Sequence, residues 1–398
     1  MARAAAPGIP RARVRARVVD GDGEVGVTQQ PVRFGVVGSG WRAEFFVRVA
    51  RLMPDRFRCV GVVTRSAQRG AQVEAAWGVP TVRTIEELVT GALPGAGAAP
   101  DRPELVVTAT PWPVTPDAVR EIVDAAVPVL AETPPAPDAA GLRDLWADVG
   151  ATGLVQVAEH SPSMPAHRAR RAVVEAGTIG VPTSVQVSST HLYHAVGLGR
   201  YLLGAGRGPV TVRAQAFTAP LVDPVGREGW TDSGAAAPVR SVLATLDLGD
   251  GRSVLYDFTD NQWYNPLRTN RVVVRGSHGE IVDDNVTRWV DERTVLTSSI
   301  VRRQSGIEQN LDGFDLEHLS MDGRVLYRNP FVGARLADDD LAVAHLLDDT
   351  GAWLRGDAPP PYPLADGCQD HLLGLAIEES ARTGEPVTTA AEPWADAV

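Results

Sequence analysis

From Val32 to Val157, short and nearly continuous apolar runs alternate with amphipathic stretches. "VRFGVVG" precedes "AEFFVRVARLM", "FRCVGVV" precedes "GAQVEAAWG", "ELVVTAT" precedes "DAVREIVDAA", and "VPVLAET" precedes "DAAGLRDLWADVGA" and "GLVQVAE". A strand that is apolar at every position, not at alternate ones, is buried on both faces, and strands alternating with helices pair in parallel. The first part of the chain therefore reads as a doubly wound parallel sheet covered by helices on both sides.

The pattern changes after "PAHRARRAVVEAGTIG", an amphipathic helix with a glycine-rich end. Longer alternating strands follow, such as "TSVQVSST", "SVLATLDL", "RSVLYDFT" and "RVVVRGSHGEIVDD", with a hairpin signal at Gly249, Asp250 and Gly251. Helices at "DDDLAVAHLLDDTGAWLRG" and "DHLLGLAIEESARTG" close the chain, and no internal repeat is visible. The expected fold class is α/β: an N-terminal Rossmann sheet at 31–155, then an α+β domain at 156–398 with a large, mostly antiparallel open-faced sheet. Residues 1–30, rich in Arg, Ala, Pro and Gly without an apolar period, read as a disordered extension.

Composition narrows the partner. The net charge is −11 with no dense basic run, which argues against nucleic acid or an anionic membrane and for a small molecule. No apolar run is long enough for a membrane span, and two distant cysteines, Cys59 and Cys368, imply neither a disulfide framework nor a cysteine metal site; a reducing, cytoplasmic setting is expected. All 38 basic residues are arginine.

"FGVVGSGWRAEFF" sets Gly38, Gly40 and Ala43 in a G-x-G-x-x-A pattern between a strand and a helix, with Ser39, Trp41 and Arg42 completing the loop. Gly38 permits the tight turn, Gly40 lets backbone approach a pyrophosphate, and Ala43 allows close packing of helix on strand. The anion then lies at the helix N-terminus. An NAD-preferring protein usually ends its second strand in a carboxylate; here Thr64, Arg65 and Ser66 stand there. A guanidinium and two hydroxyls suit a 2′-phosphate and favour NADP(H) over NAD(H), the alternative for Arg65 being a solvated surface side chain.

In the order of its motifs the chain resembles the Gfo/Idh/MocA family of NAD(P)-dependent sugar and polyol oxidoreductases over about Val32 to Val387. Four matches carry the resemblance: "GVVGSGWRA", "LVVTATPWPVTPDAV" leading into "PVLAETP", "HLYHAVGLGRYLLG", and "ADGCQDHLLGLAIEESARTGEPV". It implies that Thr110, Pro111, Trp112 and Glu132 border the cofactor. It also exposes two departures. The family's Glu-Lys-Pro is Glu132, Thr133 and Pro134 here, so threonine replaces the lysine that faces nicotinamide and substrate. The family's D-x-G-x-H-x-x-D-x-x-R element aligns with Thr190, Leu192, His194, Gly197 and Arg200, keeping the histidine and losing both aspartates. High-GC coding explains a lysine-free chain, but it predicts arginine at 133, not threonine.

The family chemistry is hydride transfer coupled to proton transfer at the substrate oxygen. Thr133 can hydrogen-bond but does not titrate near neutrality, which leaves His194 as proton donor or acceptor. His191 and Tyr193 flank it; if "STHLYHAV" stays extended through Tyr193, both point away from His194. Glu159 and His160 end the strand entering the second domain and border the substrate, although a strand-end carboxylate is usually solvated. Trp263 and Tyr264, beside Asn265, suit a substrate cleft or a subunit interface. Glu159, His160, His191 and His194 have no recognised zinc spacing, and no metal is expected. The resemblance further implies a homodimer or homotetramer. Three functions follow: an oxidoreductase on a sugar, cyclitol or related carbonyl, hydroxyl or imine compound; a nucleotide-binding sensor without turnover; or a non-redox enzyme on the same scaffold.

Overall fold

The structure, a computed structural model, describes residues 30–93, 101–226, 229–306 and 314–397. The extension expected at 1–30 lies outside the described residues, Gln30 excepted. Pro31–Val398 forms one compact unit.

Its first part runs β1 (Val32–Val37), α1 (Trp41–Leu52), β2 (Phe57–Val63), α2 (Ala67–Trp77), β3 (Thr81–Val82), α3 (Ile85–Thr90), β4 (Leu105–Thr108), α4 (Thr115–Asp124), β5 (Val129–Ala131), α5 (Ala139–Val149) and β6 (Val155–Val157). The six strands lie in the order β3-β2-β1-β4-β5-β6, every pair parallel. Burial on both faces explains the continuous apolar runs. Along β4, Leu105 and Val107 enter one hydrophobic cluster while Val106 enters another on the opposite face. The helix starts follow capping chemistry: Ser66 accepts from the Arg69 amide at α2, Thr84 and Glu87 form a capping box at α3, and Asp138 accepts from Gly141 at α5. At α1 the cap is Gly40, with no side chain on the helix N–H groups.

The chain continues through α6 (Pro165–Glu175), β7 (Pro182–Ser188), α7 (Leu192–Leu203), β8 (Thr211–Val222), the small ribbon β9 (Val225–Gly226) and β10 (Gly229–Trp230), β11 (Ala236–Asp247), β12 (Ser253–Thr259), β13 (Arg271–Gly276), β14 (Gly279–Val282), β15 (Asn285–Asp291) and β16 (Thr294–Ser299). A three-stranded sheet of β17 (Val301–Ser305), β18 (Asp315–Met321) and β19 (Arg324–Arg328) precedes α8 (Asp338–Leu354), α9 (Leu364–Thr383) and β20 (Val387–Thr388). The large sheet has nine strands, β16-β15-β14-β13-β7-β12-β11-β8-β20, antiparallel except where β7 meets β12. The hairpin expected at Gly249–Gly251 joins β11 to β12, with three successive residues at φ 79°, 52° and 72°.

α8 packs on α1 and α9 on α7, so the C-terminal helices bring the two sheets' helices together. Within that junction Arg200 of α7 pairs with Asp370 and, at 2.8 Å, with Asp366 of α9. Tyr362 also donates to Asp370.

Candidate active site

The loops that follow β1, β2, β4 and β5 surround a cavity of about 790 Å³. This is the carboxyl end of the parallel sheet where strand order reverses between β1 and β4, the place where such sheets bind ligands. Gly38 and Gly40 have different tasks there. Gly38 sits at φ +111°, and a Cβ on it would stand 2.3 Å from the Ala109 carbonyl oxygen, so the β1 and β4 loops touch only because the residue is glycine. A Cβ on Gly40 would meet nothing within 4 Å; it would project into the cradle at the α1 N-terminus that a pyrophosphate requires. Ala43, fully buried, allows the close helix packing. These features fit a dinucleotide.

Past β2 the cavity is basic. Arg65, Arg69 and Arg83 line it, and none of the three forms an ion pair among the described residues. Arg69 donates to the Ser39 hydroxyl at 3.0 Å and to its carbonyl. Arg83 is held by neutral acceptors, the Thr64 and Val82 carbonyls at 3.2 and 2.9 Å and the Thr81 hydroxyl at 2.8 Å. Thr64 is itself buried and accepts from Arg83, while Ser66 is occupied as the α2 cap. Arg69 and Arg83 were not legible as site residues: one lies three residues inside a helix, the other after a two-residue strand, and neither position belongs to a glycine-loop motif.

At the other end of the cavity Arg42 turns inward. Its Nε donates to Glu132 at 2.5 Å and its Nη2 lies 3.1 Å from His160 Nδ1, with the guanidinium over the rings of Phe45 and Phe46. The cavity's one arginine on this side is thus already committed. Thr110 shares a hydrogen bond with Thr115 at the start of α4, Pro111 and half-exposed Trp112 line the wall, and exposed Trp41 stacks edge-on to Phe45. Thr133, which precedes the cis-linked Pro134, hydrogen-bonds the Tyr193 phenol.

Tyr193 connects the cavity to a histidine cluster. Its ring packs edge-on to Trp112 at 6.4 Å and against His194 at 4.4 Å. His191 stacks on His194 at 5.1 Å. The expectation that His191 and Tyr193 point away from His194 is therefore corrected. It assumed an extended chain through Tyr193, whereas α7 begins at Leu192 and its first turn gathers all three rings. Trp263 joins them, 5.2 Å from His191, with Tyr264 beside it. Asn265 is buried and spends its amide on the Val222 carbonyl and the Leu267 amide.

The decisive contact is between elements far apart in sequence. Glu159, just past β6, places Oε2 2.5 Å from His194 Nδ1, and its Oε1 accepts from the Ser161 amide at 2.9 Å. The carboxylate is buried, not solvated as a strand end usually is. Burial alone would push this acid up, but His194, His160 and the Ser161 side chain together outweigh it and hold the pKa down at about 2. Burial and the neighbouring His194 push His191 down to about 4, and burial with Arg42 pushes His160 down. Burial and the Glu159 charge push the Tyr193 phenol up. The site therefore holds one anion, neutral His191 and neutral Tyr193 around His194. Among the described residues no group of three or more His, Cys, Asp or Glu side chains is arranged to hold a metal ion, and no helix is long and apolar enough to cross a membrane.

Residues 32–160, which contain the whole first sheet and include Glu159, match the model of the oxidoreductase family with an NAD-binding Rossmann fold, GFO_IDH_MocA. Solved structures resemble the chain over most of its length. A myo-inositol dehydrogenase from Corynebacterium glutamicum aligns with a TM-score of 0.60 at 18% identity, covering 90% of this chain and 98% of that one. Levoglucosan dehydrogenase, in complex with NADH and levoglucosan, gives 0.62 at 17%, covering 90% and 99%. The WlbA dehydrogenase from Bordetella pertussis, in complex with NADH and UDP-GlcNAcA, gives 0.59 at 17%, covering 92% and 99%. No curated protein sequence matches the chain. The fold of these structures thus extends beyond the first sheet and through the nine-stranded sheet.

The same buried groups set a pH dependence of stability. His191 at about 4, and His167 and His345, each pushed by burial to about 3, lie below their ordinary 6.5, and Glu159 at about 2 lies below its ordinary 4.5. The unfolded chain then binds more protons than the folded one, so their stabilisation is complete above pH 6.5 and is lost as pH falls toward 3. Asp370, raised by burial from 3.8 to about 6 despite Arg200, opposes this between those two values. Thermal unfolding is expected to move to lower temperature continuously from about pH 7 to about pH 4. A midpoint that stays level or rises across that interval would show that these groups are not held as described.

Proposed function

We propose that the chain transfers a hydride between a nicotinamide dinucleotide, NADP(H) in preference to NAD(H), and a carbonyl or hydroxyl compound of the sugar, cyclitol or imine class, with His194 moving the proton. The observation that carries this reading is the buried Glu159–His194 pair beside the glycine-loop cavity. When bound, the dinucleotide supplies or accepts the hydride at C4 of its nicotinamide. The chain's residues do the rest. Gly38, Gly40 and the α1 N–H groups hold the pyrophosphate, and Arg65 and Arg69 stand where a 2′-phosphate would neutralise them.

Glu159 is an acceptor, so His194 donates Nδ1–H to it, and Nε2 is the ring nitrogen left to give or take a proton at the substrate oxygen. Thr133 remains neutral and binds Tyr193. Its lack of charge favours the second reading, a protein that binds the dinucleotide as a sensor without turnover.

Affinities for NADPH and NADH, read by fluorescence of the bound cofactor, and absorbance of NADPH against a panel of ketoses, inososes and cyclic imines, test both statements. NADPH should bind more tightly, and Arg65→Ala or Arg69→Ala should each weaken NADPH by about tenfold or more while leaving NADH nearly unchanged. A clear preference for NADH would overturn the 2′-phosphate assignment. Tight binding with no turnover on the whole panel would favour the sensor.

A further inference from the structure

The side chains around the Glu159–His194 pair form a continuous wall of rings. Trp112 meets Tyr193 at 6.4 Å, Tyr193 meets His191 at 5.3 Å, and His191 meets Trp263 at 5.2 Å, with Phe258 stacked behind Trp263 at 5.2 Å. The two ends of the wall stand open: Trp112 is 47% and Trp263 39% exposed, although each is a large ring that is ordinarily buried. His371 extends the wall behind Trp112 at 6.3 Å, and the His191 and His371 Nδ1 atoms have no hydrogen-bond partner.

The wall also lacks a counter-charge for an anion. Arg42 is spent on Glu132 and His160, position 133 is a threonine, and the one charge buried behind the wall is the carboxylate of Glu159. A carboxylate or phosphate placed here would lose its hydration without gaining a cation, whereas a flat apolar group gains ring contacts along the wall.

We propose that the substrate taken by this wall is uncharged and carries an aryl or similarly flat apolar group next to the reacting carbonyl or carbinol. This rests on the redox reading of the site, but it concerns binding and is tested without turnover. Three probes on one scaffold vary the two properties separately: phenyl β-D-glucoside is neutral with the aryl group, methyl β-D-glucoside is neutral without it, and phenyl β-D-glucuronide keeps the aryl group and adds a carboxylate.

Titrated into the NADP-loaded protein and followed by calorimetry, the phenyl glucoside should bind about tenfold more tightly than either of the others. Trp112→Ala and Trp263→Ala should each bring it to the affinity of the methyl glucoside. Equal binding of phenyl and methyl glucosides, tighter binding of the glucuronide, no binding of any of the three, or insensitivity to both tryptophan substitutions would each overturn the proposal. Preferential binding of the phenyl glucoside by a protein that never reduces NADP sustains the wall and removes the redox reading instead, so the two failures are distinguishable.

Discussion

Substituting His194 with alanine is expected to lower kcat by about a hundred- to ten-thousand-fold, the range typical of one positioned acid or base, while cofactor affinity stays that of the parent. The split follows from position. His194 lies on α7 behind Tyr193, whereas the residues that line the dinucleotide cavity come from the loops after β1, β2, β4 and β5. Glu159→Gln should reproduce part of the loss, because a glutamine can still hold the ring through its amide oxygen but supplies no charge to stabilise the imidazolium that forms during proton transfer. An unchanged kcat in Glu159→Gln would separate the carboxylate from the chemistry.

The largest effect on stability is expected at Arg200. Its guanidinium lies buried between Asp370 and Asp366, and Arg207 reaches Asp366 at 3.0 Å from the other side. Burial raises the Asp370 acid to about 6 even though Arg200 opposes the shift; burial is the larger of the two influences. Removing the cation leaves a buried carboxylate facing only Tyr362. Arg200→Met should therefore cost about 3–5 kcal/mol in denaturant unfolding, as broken buried pairs do. Asp370→Asn in the same chain should return a substantial part of it, because the uncompensated charge is gone. A loss under about 1 kcal/mol would place the pair among ordinary solvated ones.

Much of the fold was legible because burial on both faces of a parallel sheet leaves a direct trace in sequence. The runs at Val32–Val37, Leu105–Thr108 and Val129–Ala131 have no polar face to show. The glycine loop was legible for a similarly local reason, since a positive φ beside a close backbone contact admits almost no other residue.

The site was less legible because its contacts are long-range. Glu159 and His194 lie 35 positions apart, and nothing at either position announces the other. The turn that gathers His191, Tyr193 and His194 depends on Leu192 at φ 36°, a region L side chains rarely adopt. Local propensity favours the extended alternative there, and the Tyr256 hydroxyl that receives the Leu192 amide is 64 residues away. Threonine at 133 is, from the sequence, an expected departure from the motif that the chain resembles. Only the fold shows what it touches, the Tyr193 phenol.

The most direct measurement is the single-turnover decay of protein-bound NADPH after rapid mixing with the carbonyl acceptor that the panel identifies, made in the parent and in His194→Ala. Decay that slows by about a hundredfold or more in His194→Ala, with NADPH bound equally well before mixing, is the predicted result. NADPH that persists against every acceptor in the parent, or that decays as fast in His194→Ala, would contradict hydride transfer with its proton on His194.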